Sequence, residues 1–412
     1  MCSIHNEDLI RNITKKTTVP IIFRGFVKDW SLCQWTLEKW SSAFGENVIP
    51  FRCMKKNFVS AGPCWERMCN KKSMKFKEFL ESAESSEEWM YFDYKYLQQW
   101  FNADHDLTKE VSWEKFGYPN KDASHSTLWI GTKGAHTPAH QDTYGYNIIA
   151  QLYGRKRWIL FPPETGNLLP TRVPYEESSV YSKLNFYCPA NFDAFNALTG
   201  ARLVELNAGD ALVVPRGWWH YVQNLDNINI AINVWLPHDK DTSTQVSEAL
   251  IKILVAQVCK DLPEKTAKLL VNPNEDDISD TPLAVLFLQL DTVAKSYLNN
   301  KRKVRRYKRQ RTCEVDSDTP AVDDPPDDDF DLKSLIENKE NNLELPANIT
   351  THDLINLLKE NLNSFANANK QLEEDEVEGA TDKLCLTKAV IDAFCQSNVI
   401  DLVKQNLFER LN

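Results

Sequence analysis

The chain has 412 residues, a formal net charge of −10 and 42% apolar residues, enough length and apolar content for a barrel with helical additions. The acidic balance argues against broad nucleic-acid binding, and no run approaches the roughly 20 apolar residues that a bilayer-spanning helix needs. The ten cysteines form no C-x-x-C pair, and the first residues lack the pattern of a secretory signal. We therefore expect a soluble protein in a reducing compartment, the cytoplasm, with the nucleus as an alternative.

The N-terminal part of the chain mixes short strand and helix signals. Residues 19–26 are an apolar run that ends in a turn, which predicts a strand. Residues 35–40 predict the start of a helix with Thr36 as N-cap, because a threonine hydroxyl can accept a hydrogen bond from the first turn. Residues 75–80 predict the beginning of another helix.

Residues 126–237 are predicted to form a mostly β core. Short β-branched and aromatic runs are separated there by Gly, Pro, Asn and Asp, a pattern typical of a barrel or jelly roll. The first run, residues 127–131, predicts a strand that leads towards a turn at Thr137. Residues 209–215 predict a turn, a short apolar strand and a stop shortly before His220.

Two histidines and one aspartate form the most informative motif. His140 and Asp142 are two residues apart, and side chains at that spacing project from the same face of an extended strand. His220 follows 78 residues after Asp142 and must arrive from a distant strand. Two imidazoles and one carboxylate hold non-haem Fe(II) on one face and leave other coordination positions open. The motif predicts an iron site, although a lone His-x-Asp triplet is weak evidence without its context.

Five segments, the first of which contains His140 and Asp142, form the sequence context of this motif. They are Thr137-Pro-Ala-His-Gln-Asp142, Asn147, Gly154-Arg-Lys-Arg-Trp-Ile-Leu-Phe-Pro-Pro163, Gly217-Trp-Trp-His220 and Asn233-Val-Trp235. Together they resemble the JmjC family of Fe(II)- and 2-oxoglutarate-dependent oxygenases, in its small hydroxylase branch, over residues 19–237. The resemblance implies a double-stranded β-helix, the cupin-like jelly roll, with flanking α-helices and a helical C-terminal region. It also implies Fe(II) and 2-oxoglutarate as cofactors, with His140, Asp142 and His220 as the iron ligands.

The resemblance implies a role for five further residues around 2-oxoglutarate. They are Lys156, Thr137, Tyr91, Asn147 and Asn233. The lysine matches the cation that pairs with the distal carboxylate, and its distance from the His-x-Asp motif fits a second, neighbouring strand. The threonine and tyrosine match hydroxyls that bind the same carboxylate, while the two asparagines match amides near the co-substrate and iron. Tyr94 and then Tyr96 are the alternatives to the tyrosine, because the aromatic cluster permits a shift.

Structural explanations compete with these roles. Taken alone, the lysine fits one solvated charge in a basic hairpin, and the threonine and asparagines fit ordinary turn or ladder-end positions. Trp218 and Trp219 are expected in the core, because indole rings carry large apolar area and a single donor. The six remaining histidines are expected to be surface or capping residues, because none has a partner at ligand spacing.

After residue 237 the pattern changes to helical, for example in residues 246–255, 282–288, 389–394 and 400–403. We predict four parts: residues 1–240 as the oxygenase domain with N-terminal α/β elements, 241–300 as a helical extension, 301–345 as a charged linker and 346–412 as a helical C-terminal segment. In the related enzymes helices after the barrel often form a homodimer, and packing onto the barrel is the equal alternative.

Two like-charge blocks lie between the helical regions. Residues 301–311 hold eight basic residues, and residues 314–331 hold nine acidic residues and three prolines. Such blocks repel internally and rarely fold, so the second is predicted to be a linker. The basic block could bind RNA or DNA, but it holds a single aromatic residue and the acidic tract could neutralise it. A nuclear-localisation signal or a solvated helix end is the alternative.

Three functions are weighed for the whole chain. The leading hypothesis is a 2-oxoglutarate-dependent dioxygenase that hydroxylates a protein side chain, because the complete ligand set is present. The second is an adaptor that binds a small heat-shock protein, because the chain also resembles a heat-shock-protein-associated member of the same branch. The third, an RNA hydroxylase, rests on the basic block alone, and nucleic acid and membrane are not the expected partners.

Overall fold

The computed structural model describes residues 7–165, 179–263, 267, 270, 281–313, 332–365 and 382–411. Contacts group these residues into a β unit and a helical unit. The β unit contains the described residues up to 165 and those within 180–238 and 333–365, and the helical unit contains those within 239–332 and 382–411.

The strands of the β unit form sheets of nine, six and two strands among the described residues. The strands are β1 (Ile21–Phe23), β2 (Val48–Lys55), β3 (Asn70–Lys75), β4 (Glu88–Tyr96), β5 (Ser112–Trp113), β6 (Tyr118–Asp122), β7 (Ser126–Gly131), β8 (His136–Asp142), β9 (Tyr146–Tyr153), β10 (Lys156–Phe161), β11 (Ser179–Tyr181), β12 (Arg202–Leu206), β13 (Ala211–Val214), β14 (Trp219–Asn224), β15 (Asn229–Leu236), β16 (Leu343–Glu344) and β17 (Ala347–Asn348).

The helices lie before, between and after these strands. They are α1 (Glu7–Lys16), α2 (Leu37–Phe44), α3 (Phe76–Ser82), α4 (Leu97–Trp100), α5 (Asp106–Lys109), α6 (Asp241–Cys259), α7 (Leu283–Cys313), α8 (Leu332–Glu337), α9 (Thr351–Phe365), α10 (Asp382–Phe394) and α11 (Ser397–Leu411). The predicted N-cap of α2 is confirmed, because Thr36 Oγ1 accepts a hydrogen bond from the Lys39 amide at 3.3 Å.

The two large sheets pack face to face around an apolar core. Their strand orders are β16-β1-β13-β9-β15-β7-β4-β2-β3 and β11-β8-β14-β10-β12-β17. One buried cluster contains Ile149 and Leu212 from the nine-stranded sheet and Trp158, Val204 and Val222 from the six-stranded sheet. Burial of apolar side chains between two sheets is what holds such a sandwich together. The predicted mostly β, jelly-roll core with flanking helices is confirmed.

The spacing between Lys156 and the His-x-Asp motif predicts that their strands are neighbours. In the structure the two strands are not adjacent. Strand β14 lies between β8 and β10 and pairs with both. The reason is the topology, because consecutive strands alternate between the sheets: β8 and β10 belong to the six-stranded sheet, whereas β9 belongs to the nine-stranded one. Lys156 still reaches the same interior, since both strands turn one face towards it.

Residues 339–365 return to the β unit and complete it. Strand β16 pairs with β1 at one sheet edge, and β17 pairs with β12 at the edge of the other. Helix α9 buries Leu354 and Leu358 in an apolar cluster with residues such as Trp219 and Tyr221. These elements fall in the predicted linker and C-terminal segment, whose four-part boundaries stay a prediction. The predicted acidic linker, residues 314–331, lies outside the described residues.

The helical unit consists of α6, α7, α10 and α11. Val255 of α6 packs with Ile391 and Ile400, and a second cluster stacks Tyr297 on Phe408 with ring centroids 4.4 Å apart. Helix α7 continues through residues 301–313, although the like charges of this block predict little folding. Lysine and arginine have high helix propensity, and basic residues near a helix C-terminus interact favourably with its dipole. Within the described helices, none is both long and apolar enough to span a bilayer.

The packing of α9 predicts a stability effect. Leu358→Ala should lower the free energy of unfolding by about 2–4 kcal/mol, because the leucine is 1% exposed and its removal leaves a cavity against the sheet. Glu360→Ala, at an exposed position of the same helix, should change it by less than about 0.5 kcal/mol. Urea denaturation followed by tryptophan fluorescence measures both. Equal stability of the two variants would show that α9 is not part of the folded β unit.

Candidate functional site

The candidate site is built around the pairing of β8 with β14. The antiparallel register places His140 directly opposite His220, and the two imidazole centroids are 4.1 Å apart. Asp142, two residues further along β8, has its carboxylate 3.7 Å from His140 Nε2 and 3.9 Å from His220 Nε2. One ligand atom from each of these buried residues lies within 4.8 Å of the others. The structure therefore brings the predicted triad together at a spacing that a single metal ion could bridge.

Backbone carbonyls determine which imidazole nitrogen is free. His140 Nδ1 lies 2.9 Å from the carbonyl oxygen of Pro138, and His220 Nδ1 lies 3.0 Å from that of Trp218. A carbonyl oxygen only accepts, so each Nδ1 carries the proton and each Nε2 keeps its lone pair. Burial, together with the neighbouring His220, lowers the pKa of His140 to about 4. His140 is consequently neutral at pH 7, the form that binds a metal.

The carboxylate of Asp142 is held by two donors from the facing sheet. Trp235 Nε1 donates to Asp142 Oδ2 at 3.0 Å, and Asn147 Nδ2 donates to the same oxygen at 3.4 Å. Asn147 Oδ1 accepts from Asn233 Nδ2 at 2.7 Å, and Asn233 Oδ1 accepts from Trp129 Nε1 at 2.8 Å. This chain orients both amides, and each amide nitrogen keeps a second N–H for a ligand.

A buried ammonium lies at the other end of the site. Lys156 is 3% exposed, and its Nζ donates to Tyr91 Oη at 3.4 Å. Burial lowers the pKa of Lys156 to about 7, against a smaller opposing effect of Asp93. No carboxylate of the described residues lies within salt-bridge distance of this ammonium. Thr137 lines the same cavity as Tyr91, whose pKa is raised by burial and lowered to a smaller extent by the threonine hydroxyl.

All but one of the predicted residues line one cavity. The predicted residues in its wall are Tyr91, Thr137, His140, Asn147, Lys156, His220 and Asn233. Asp142 alone of the predicted set is not in the wall, although it contacts both histidines there. Tyr94 also lines the cavity, whereas Tyr96 is 39% exposed. Of the three candidates, Tyr91 has a hydroxyl that accepts a hydrogen bond from Lys156 Nζ.

Several aromatic residues of the site were not predicted. Trp235 and Trp129 donate to the aspartate and asparagine described above, and Tyr181 stacks on His140 with centroids 5.4 Å apart. The i, i+2 spacing of Asn233 and Trp235 is the signal that could have found the first, because both side chains share one strand face. The other two come from other strands, and no local spacing predicts them.

His136 departs from the expectation that the remaining histidines are surface or capping residues. It is buried, its Nδ1 lies 2.9 Å from the Gly134 carbonyl oxygen, and its ring stacks on Tyr187. It does not belong to the metal-binding cluster found among the described residues. Its ring instead packs among the aromatic rings of Trp89, Tyr187 and Tyr221. His105, in contrast, caps α5 as expected, because its Nδ1 accepts from the Leu107 amide at 3.2 Å. Trp218 and Trp219 are buried as expected.

The donor set fits a divalent metal and a dianionic co-substrate. Two free imidazole nitrogens and one carboxylate on one side match the ligands that hold Fe(II). A buried ammonium without a carboxylate partner among the described residues matches an anionic group, because an unpaired buried charge is otherwise costly. Both features open into the same cavity.

Comparison with known proteins identifies one domain family and several relatives of this chain. The cupin-like domain family matches residues 7–242. The HSPB1-associated protein 1 homolog of Danio rerio is 38% identical over 309 residues, which are 71% of this chain and 68% of that protein. HSPB1-associated protein 1 of Homo sapiens is 37% identical over 299 residues, which are 69% of this chain and 60% of that protein. The chain therefore spans less than two thirds of the human relative.

A JmjC protein matches over nearly its whole length. JmjC domain-containing protein A of Dictyostelium discoideum is 23% identical over 256 residues, which are 57% of this chain and 96% of that protein. The chain belongs to the cupin-like domain family.

Proposed function

We propose that the chain is an Fe(II)- and 2-oxoglutarate-dependent oxygenase that hydroxylates a protein side chain. One observation carries the proposal: the two histidines of the His-Asp-His cluster and a buried lysine without a carboxylate partner among the described residues face the same cavity. An adaptor that had lost its chemistry would gain nothing from keeping an ammonium buried away from any described carboxylate, because such a group destabilises the fold. A ligand with a carboxylate offsets that cost.

In this proposal His140, Asp142 and His220 hold the iron. The two Nδ1–H bonds to backbone carbonyls aim the Nε2 atoms, and Trp235 with Asn147 fixes one carboxylate oxygen of Asp142 so that the other is free. Such outer contacts raise metal affinity by limiting the rotation of the ligands. Bound Fe(II) would supply the activation of O2 that turns 2-oxoglutarate into succinate and CO2 and hydroxylates a substrate C–H bond.

Lys156, Tyr91 and Thr137 hold the distal carboxylate of 2-oxoglutarate in this proposal. Charge-assisted bonds to a buried carboxylate are strong because few waters compete there. Asn147 and Asn233, with their spare N–H groups, lie between this end and the metal cluster. The aromatic wall of Tyr94, Trp129 and Trp235 keeps water from the reacting centre.

A second candidate function is binding of a small heat-shock protein. The relatives that align over 299 and 309 residues are named for their association with HSPB1. The two functions are compatible, because a heat-shock protein could be the substrate or a separate partner. Direct binding assays with the purified protein and Asp142→Ala distinguish them: an adaptor binds equally well in both forms.

The central experiment is turnover. The full chain, loaded anaerobically with Fe(II) and then given 2-oxoglutarate and O2, should release succinate, and a matching protein substrate should increase the release and gain 16 Da, the mass of one oxygen atom. A small heat-shock protein and unrelated peptides of similar length are the substrate and the control. A protein that binds neither the metal nor 2-oxoglutarate would contradict the proposal.

The metal cluster gives the first mutational prediction. His140→Ala and Asp142→Ala should each abolish stoichiometric Fe(II) binding, because two ligands do not hold a weakly bound divalent ion against water. His125→Ala, an exposed histidine that contacts Asp122, should bind iron like the unmodified protein. Metal content after anaerobic loading and desalting measures the effect, and circular dichroism checks the fold. Full iron content in either ligand variant contradicts the assignment.

The lowered pKa of Lys156 predicts a pH dependence of 2-oxoglutarate binding. With a pKa of about 7, the lysine is largely neutral at pH 8 and must take up a proton to pair with the distal carboxylate. Affinity should therefore fall as pH rises from 7 to 9, approaching about tenfold per pH unit. Calorimetry of the Zn(II)-loaded protein in buffers of different ionisation enthalpy measures the proton uptake. Lys156→Met should bind weakly and take up no proton, and binding by the unmodified protein without uptake would assign the contact to another cation.

A further inference from the structure

The Asn224 side chain is buried without hydrogen-bond partners. It is 1% exposed, and neither its Nδ2 nor its Oδ1 atom has a partner among the described residues. Buried polar groups are nearly always satisfied, because leaving a donor or acceptor unpaired costs free energy. An amide with both ends unpaired therefore indicates a missing ligand or a missing water.

Asn224 lies one step beyond the cavity wall on the same strand face. In the pairing of β10 with β14, Trp158 is opposite Val222 and Lys156 is opposite Asn224. Trp158, Val222 and Lys156 line the cavity, and residues opposite one another in an antiparallel pair project from the same face. The amide therefore shares the interior face with the ammonium.

The surroundings of Gly131 place the amide beside Tyr91. A Cβ atom added to Gly131 would lie 2.5 Å from Asn224 Nδ2 and 2.7 Å from Tyr91 Cδ2. Both side chains thus close over the same glycine, and only glycine leaves room for them. The Nδ2 group of Asn224 is held against the ring whose hydroxyl contacts Lys156.

The number of hydrogen-bond donors around the distal carboxylate leaves one acceptor position for the amide. A carboxylate offers about four lone-pair sites, and the proposed contacts from Lys156, Tyr91 and Thr137 use three of them when each donates once. Asn224 is a buried donor at the same end that has no other described partner. A 2-oxo acid with a distal carboxylate satisfies it, whereas one without that group leaves it unpaired.

We propose that Asn224 Nδ2 donates a hydrogen bond to the distal carboxylate of the bound 2-oxo acid and contributes to selection for that group. The inference rests on the proposed function, because it assumes that 2-oxoglutarate occupies the cavity. Asn224 is a positioning residue for the co-substrate and takes no part in the oxidation. The competing explanation, a structural water on the amide, is an outcome of the test.

The experiment compares two 2-oxo acids on the Zn(II)-loaded full chain by calorimetry. Asn224→Ala should weaken 2-oxoglutarate about tenfold or more, the effect of losing one bond to a charged acceptor. The same change should leave the affinity of pyruvate, which lacks the distal carboxylate, within about twofold. Gln223→Ala is the matched control, because this neighbouring residue points to the other face, where its Nε2 donates to Asn361 Oδ1 at 2.8 Å.

Each other outcome is decisive. If Asn224→Ala weakens both acids equally, or neither, the amide serves a structural water and the inference is wrong. If Asn224→Ala does not fold, Asn224→Ser keeps a short polar side chain that reaches less far, and it should show the same selective loss. Failure of the unmodified protein to bind 2-oxoglutarate contradicts the proposed function itself, whereas loss in Lys156→Met without loss in Asn224→Ala contradicts the inference alone.

Discussion

The candidate site depends on one register, that of β8 against β14. Their antiparallel pairing sets His140 opposite His220, with Trp219 opposite Gln141, and the pairing shifts between His220 and Val222. A slip of one residue would turn every side chain of β8 to the other face and separate the ligands. The backbone carbonyls of Pro138 and Trp218 lie two residues before each histidine and orient the imidazoles locally. The position of the ligands thus follows from the strand pairing, and the tautomer follows from the backbone of each strand.

Parts of the site that obey strand periodicity could be predicted from the sequence. The i, i+2 spacing of His140 and Asp142 places both on one face, and the alternation of apolar and turn residues predicts the jelly roll. What joins distant strands could not be predicted in this way. The bond from Trp235 to Asp142 crosses from one sheet to the other, and β14 separates β8 from β10, although the chain spacing suggests neighbours. Only the topology contains that information.

The return of residues 339–365 to the β unit shows a second limit of sequence patterns. Strands β16 and β17 have two residues each, too short for an alternating signal, and they follow a strongly charged block. Their positions are defined by pairing with β1 and β12, a contact between residues more than a hundred positions apart. Helix α9 has a recognisable apolar face, but nothing local says that this face meets Trp219 and Tyr221 rather than another helix. Charge composition predicts where a chain is solvated, but it does not predict short edge strands.

The two asparagines at the metal end of the site are hydrogen-bonded, whereas the Asn224 amide near the lysine end has no partner among the described residues. Amides from Asn147 and Asn233 form a continuous hydrogen-bonded chain from Trp129 to Asp142, so the metal end is organised before any ion binds. At the opposite end Lys156 has a lowered pKa, and Asn224 has no described partner. A protein selected only for stability would replace both with apolar residues, because buried ionic and polar groups rarely repay their desolvation. In our proposal an anion that binds at this end accounts for both groups, and the hydrogen-bonded metal end would then determine how that anion is presented to the iron.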